Sequence, residues 1–295
     1  MYATKFRGTG VALVTPFTQQ ETIDFPALEK LVDRVIHQGV NYLVALGTTA
    51  ETPTLSDAEK MDILRCVIET NAGRVPLVAG LGGNNTQAVI AQFEKYPNHA
   101  IDAYLSVSPY YNKPSQNGIL AHYRALNEHT PKPIIMYNVP GRTGSNMSAE
   151  TTLTLAHECT NLIGIKEAAG NMVQSMALIQ GKPKHFLVLS GDDDLAMAQI
   201  ACGFDGVISV AANCYTTPFC QMIQAALQYD MAKAQQLHYR LLEGIDLLFA
   251  EGNPPGVKAV MAAMNQCENA FRLPVVPVSA SLQEKINHYL VKLNA

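Results

Sequence analysis

Three features of the 295-residue chain predict an α/β fold, a (β/α)₈ barrel (TIM barrel) with a C-terminal helical annex. Short β-rich apolar runs alternate with helix-length amphipathic stretches, and that alternation implies parallel strands joined by helical crossovers. Eight such runs can be counted, the number that closes a barrel. After about Thr216 the strands stop while helical periodicity continues. The competing architecture, an open doubly wound sheet, normally carries a glycine-rich phosphate fingerprint after its first strand. Gly10-Val11-Ala12-Leu13-Val14-Thr15-Pro16 has none, and Gly80-Leu81-Gly82-Gly83-Asn84 lacks the final glycine.

Taken in order, the expected strands are residues 10–14, 42–46, 76–80, 103–107, 134–137, 162–166, 186–189 and 206–210. The helix expected at 25–37 sets Leu28, Leu31, Val32, Val35 and Ile36 on one face, and that at 58–69 sets Met61, Leu64, Val67 and Ile68 there. Further helices are expected at 218–229, 232–249, 254–264 and 279–293, punctuated by Gly252-Asn253-Pro254-Pro255, Pro274 and Pro277. The barrel is assigned to residues 1–224 and the annex to 225–295. Apolar faces on annex helices suit packing or oligomer contacts, so no chemistry is expected there.

With 48% hydrophobic and 16% charged residues the chain has material for a sizeable core. A net charge of −4 and a pI near 6.1 give no basic footprint for nucleic acid or an anionic membrane, so the partner should be a small molecule. No apolar run approaches the ~18 residues that span a bilayer, and the N-terminus does not lead into a signal peptide, so a cytoplasmic location is expected. The six cysteines show no disulfide framework or zinc spacing and read as reduced core thiols.

Residues 161–171 hold the least expected feature, Lys166 at the end of an otherwise dry strand. Strict alternation puts Ile163 and Ile165 on one face and Leu162, Gly164 and Lys166 on the other, with Gly164 leaving room beside the lysine. Burial makes an amine easier to deprotonate, and a free amine attacks a ketone to give a Schiff base. A snorkelling strand-end lysine is the plainer reading. Its neighbours at the strand ends favour chemistry: Gly47-Thr48-Thr49-Ala50-Glu51 after the second strand, Pro109-Tyr110-Tyr111-Asn112 after the fourth, Tyr137-Asn138-Val139-Pro140-Gly141-Arg142-Thr143-Gly144 after the fifth, and Gly191-Asp192-Asp193-Asp194 after the seventh.

Imine formation loses water and enamine formation loses a proton, so a relay of hydroxyls is useful, and Tyr137, Thr48 and Tyr111 can supply it. Hydroxyls and amides at Thr48 and Thr49 suit one carboxylate, and Arg142 suits a second in bidentate fashion. Alone, the threonines read as caps, the tyrosines as core or interface, and Arg142 as a surface ion pair. Asp192, Asp193 and Asp194 read as a helix N-cap rather than a metal site.

Those motifs, with Ser108-Pro109-Tyr110-Tyr111, Gly164-Ile165-Lys166-Glu167 and Ser190-Gly191-Asp192-Asp193, resemble the dihydrodipicolinate synthase family of pyruvate-dependent class I aldolases from about Gly8 onward. The resemblance implies condensation of pyruvate with L-aspartate 4-semialdehyde through an imine on Lys166, relayed by Tyr137, Thr48 and Tyr111. It implies that Tyr111 reaches into a neighbouring subunit's site, that Thr49, Gly191 and the backbone around Ile208 line the pyruvate pocket, and that Arg142 binds the semialdehyde carboxylate. No cofactor is implied, and a homotetramer built as a dimer of dimers is.

Ala50 stands where this family usually has glycine, tolerable where φ is negative. Lys60 and Ala88 fall where feedback-inhibited relatives bind L-lysine. Ala88 replaces an acid and Lys60 adds a like charge, although Asn84 and Tyr110 are kept, so weak or absent inhibition is expected. The rival readings are a sugar-acid aldolase resembling N-acetylneuraminate lyase and using the same lysine, a non-catalytic 2-oxo acid sensor, and metal-dependent aldol chemistry at the three aspartates.

Overall fold

A computed structural model describes residues 2–294. Its eight strands are β1 (Gly8–Ala12), β2 (Tyr42–Ala45), β3 (Leu77–Gly80), β4 (Ala103–Val107), β5 (Ile134–Asn138), β6 (Leu162–Glu167), β7 (Leu187–Ser190) and β8 (Gly206–Ser209). They form one closed ring in chain order, every pair parallel, with β8 returning to β1. Each strand is sealed on both faces, the inner by its opposite strands and the outer by the helices, which is why the strands read as unbroken apolar runs.

Alternation along the strands separates two cores. Ala12, Val44, Val78, Leu105, Ile135, Leu187 and Ile208 pack inside the ring, floored by Phe6 edge-on to Tyr42 at 5.5 Å. Val11, Leu43, Ala79, Met136, Ile165 and Val188 face outward, against helices such as Phe25–His37, which buries Leu28, Leu31, Val32 and Val35 as its spacing predicts.

β1 ends two residues before its expected end. Leu13 and Val14 remain buried, but the amide of Val14 donates to the side chain of Asn213 (3.2 Å), whose own amide donates to Ala12 O at 2.8 Å. An apolar run therefore outlasts its ladder because a side chain takes over the hydrogen bonding.

In β6 a bulge breaks the alternation: Ile134 pairs with Leu162, but Ile135 pairs with Gly164. Ile163 consequently lies in the inner core and Ile165 in the outer one, not on one face as strict alternation predicts.

The helices Thr216–Leu227, Met231–Phe249, Pro255–Ala263 and Ala280–Asn294 follow the strands. The division expected after residue 224 falls inside the first of them; we propose the turn after Leu227 as the boundary. Residues 1 and 295, the outer limits of the two parts, lie outside the described residues. All six cysteines are free, yet Cys202 is exposed and Cys267 half-buried, so only four are core thiols. Among the described residues, no helix is long and apolar enough to cross a membrane.

Replacing the fully buried Asn213 with alanine strands the amide of Val14 and the carbonyl of Ala12. At ~1–3 kcal/mol per orphaned group, Asn213→Ala should lower the thermal midpoint by roughly 5–10 °C in a circular-dichroism melt. An unchanged midpoint would mean that the barrel does not depend on this staple.

Candidate active site

The carboxyl ends of the strands gather the polar residues. Tyr137 of β5 and Lys166 of β6 are register partners, so both point into the ring. Lys166 is 5% exposed, and its Nζ stands 4.4 Å from the centroid of the Tyr137 ring. The space for its side chain comes from the next strand: a Cβ on Gly191 would lie 3.0 Å from Lys166 Cε and 2.5 Å from Ala168 Cβ. Gly164, expected to provide that room, instead abuts Leu187, where a Cβ would meet the Leu187 carbonyl at 2.8 Å.

A cavity of about 460 Å³ opens above this layer, bordered by Thr48, Tyr137, Arg142 and Tyr110. It continues sideways past Leu81 and Val107 to Lys60, Gln92 and Tyr96. Thr48 begins a 3₁₀ turn, Thr48–Ala50, whose Thr49 is buried and Thr48 open. Positive φ falls on Leu46 (57°) and Glu51 (53°) rather than on Ala50, so alanine is accommodated where glycine is usual. Arg142 lies on the short helix Pro140–Thr143 after β5. Ile208 is fully buried in the inner core. Tyr111, at φ 69° and 88% exposed, stands outside the wall of this cavity, which Tyr110 borders.

The three aspartates do not cap a helix: the helix Ala196–Ala201 has Leu195 at its N-cap and no side-chain cap. Asp193 is buried and its Oδ2 accepts from the amides of Val210 (2.9 Å) and Ala211 (2.8 Å), fastening the end of β8 just beyond Ile208. Asp192 accepts from Gly170 N at 3.2 Å, and Asp194 is exposed. Among the described residues they form no converging ligand set. Burial pushes both Asp192 and Asp193 up to about 6; Asp194 adds to the rise at Asp192, and the Lys166 ammonium opposes it at both. Glu167, outward of the ring, is also raised by burial, against hydrogen bonds from Asn138, Gln174 and the amide of Ala169.

Two groups escaped the sequence reading. Asn253, taken there as punctuation between annex helices, donates to Thr49 Oγ1 (3.0 Å), and its carbonyl accepts from Arg142 Nη2 (3.3 Å). Lys258 pairs with Glu51 at 2.7 Å, both side chains fully buried. The annex, assigned no chemistry, thus touches the site. A lone cation in Gly256-Val257-Lys258-Ala259-Val260-Met261 is the same signal that marks Lys166.

A model of the dihydrodipicolinate synthetase family matches residues 5–293. The chain belongs to this family. The 4-hydroxy-tetrahydrodipicolinate synthase of Flavobacterium psychrophilum is 50% identical over 289 residues, covering 98% of this chain and 99% of that one. That of Azobacteroides pseudotrichonymphae is 50% identical over 285 residues, 97% and 96% of the two chains. Among solved structures, a chloride-inhibited dihydrodipicolinate synthase from Acinetobacter baumannii complexed with pyruvate superposes with a TM-score of 0.95 at 37% identity, covering 98% and 99%.

Because Asp192 and Asp193 rise above the ordinary 3.8, each contributes stability that is complete below about pH 4 and lost as pH rises through 6. That loss is on the order of 2–3 kcal/mol per group. Carboxyl-carbon NMR of aspartate-labelled protein should show two resonances titrating near pH 6. Midpoints near 4 for all aspartates would contradict it.

Proposed function

We propose that the chain is a lyase that condenses pyruvate with L-aspartate 4-semialdehyde to 4-hydroxy-tetrahydrodipicolinate, through an imine on Lys166. The observation that carries this is a buried amine, 5% exposed and 4.4 Å from the ring centroid of Tyr137, which with Thr48 and Arg142 borders the cavity. Lys166 Nζ attacks C2 of pyruvate, and the carbinolamine loses water to give the imine. Loss of a methyl proton gives the enamine, whose carbon attacks the aldehyde. The semialdehyde's own amine then displaces Lys166 as the ring closes. The bonds balance without a redox group or other cofactor.

Tyr137 is the register partner of Lys166 on the neighbouring strand, and with Thr48 it carries the protons of these steps. Thr49 and the backbone at Ile208 and Gly191 hold the pyruvate end, and Arg142 takes the semialdehyde carboxylate. Tyr111 completes the relay from a neighbouring copy, an assignment supported by its 88% exposure and its place outside its own cavity. The assembly is a cytoplasmic homotetramer, a dimer of dimers joined in part through that tyrosine.

Pyruvate consumption should require both the semialdehyde and Lys166, and borohydride with pyruvate should trap an adduct that Lys166→Ala abolishes. Arg142→Ala should keep the adduct while raising the half-saturating semialdehyde concentration ten-fold or more. Adduct formation with no semialdehyde-dependent consumption would turn the reading toward a sugar-acid aldolase.

At the side of the cavity Lys60 pairs with Asp57 at 3.3 Å, and Ala88 lies exposed on the helix Thr86–Gln92. A cation there repels an ammonium-bearing effector, and Ala88 offers it no acid. Added L-lysine should therefore inhibit weakly or not at all; an inhibition constant in the low micromolar range would overturn this.

A further inference from the structure

We propose that Lys258, on the annex, is a positioning residue for this reaction: its ion pair with Glu51 holds the turn that presents Thr48 and Thr49 to pyruvate. The proposal rests on the function assigned above.

Glu51 closes that turn. It sits at φ 53°, its amide donates to Thr48 O (3.2 Å), and its carbonyl accepts from the amide and hydroxyl of Thr54, each at 2.9 Å. A left-handed conformation at a residue with a Cβ is costly and persists only where its surroundings hold it. Here they do so through the side chain. Oε1 is 2.7 Å from Lys258 Nζ, and Oε2 faces the amide of Arg272 at 3.4 Å. Lys258 Nζ lies over two aromatic rings, 4.4 Å from the centroid of Phe17 and 4.6 Å from that of Phe271. Phe17 belongs to the loop after β1 and Phe271 to the annex, so the ammonium is fixed from both sides.

Stability is a poor reason for such a pair. Taking two ions out of water is expensive, and a well-packed apolar pair of similar volume is often as stable or more so. What the pair supplies is a fixed distance between the annex helix Pro255–Ala263 and the active-site turn. The same helix is preceded by Asn253, which reaches Thr49 and Arg142. The side chains of Glu51 and Lys258 are fully buried, so neither is open to substrate.

The test is the double variant Glu51→Gln/Lys258→Met, which removes both buried charges together, alongside Glu51→Asp, which keeps both and draws the turn in by one methylene. Purified full-length proteins are assayed for the pyruvate and semialdehyde concentrations giving half-maximal rate, for borohydride trapping with pyruvate, and for thermal midpoint. The expected result is a roughly ten-fold or greater rise in half-saturating pyruvate in both variants, with semialdehyde half-saturation within two-fold. The thermal midpoint of Glu51→Asp should lie within a few degrees of the parent. Half-saturating pyruvate within two-fold of the parent in Glu51→Asp overturns the proposal, whether or not the double variant folds. So does a parallel rise for both substrates, which marks general loosening. A parent that traps no pyruvate sinks the assigned reaction and this proposal with it, whereas a parent that traps pyruvate beside variants that match it sinks this proposal alone.

Discussion

A parallel sheet closed on itself has no edge and no wet face, and that constraint governs where charge can live in this protein. The ladder runs from β1 round to β8 and back without an open edge, so the ring's interior can be apolar from its Phe6 floor upward. Charge enters the ring in its last layer, where loops replace ladders. Tyr137 and Lys166 occupy that layer as paired residues. The lysine's lost hydration is offset by the face of an aromatic ring and by the field of Asp192 and Asp193 behind it.

The annex extends the same logic beyond the ring. A 3₁₀ turn after a strand has little of its own to fix it, since short helices of this kind hold together weakly. Here the turn is clasped from the far end of the chain by Asn253 and Lys258, and Arg272 adds hydrogen bonds to Thr54 O and Glu59. The pairing with Arg272 holds the Glu59 carboxyl near 2, well below its ordinary range. A segment that reads as packing material thus fixes the geometry of loops more than two hundred residues upstream in the chain.

Periodicity made the barrel legible, because strands buried on both faces and helices buried on one leave different signatures. The strand-end motifs likewise set Thr48, Tyr137, Arg142 and Lys166 at the carboxyl ends of strands, where a barrel gathers them at one mouth. What escaped was long-range or irregular. The end of β1 depends on Asn213, some two hundred positions away, and no local pattern encodes that. The three aspartates look like a cap in one dimension, but the nearby helix starts after Leu195, leaving Asp193 free to fasten β8. The room expected of Gly164 comes instead from Gly191, because the space around a side chain is set by the adjacent strand, not by its own.

The bulge in β6 explains the lysine's direction. Leu162 faces the helices, and four residues on, an even count, plain alternation would return Lys166 to the same side. One residue left out of the pairing with β5 flips the parity, and the amine opens onto the lumen beside Tyr137 instead of lying among the helices. Access to the lumen at this position is in that sense a matter of counting: the same letters in an unbulged strand would spell a lysine sealed in the helical layer.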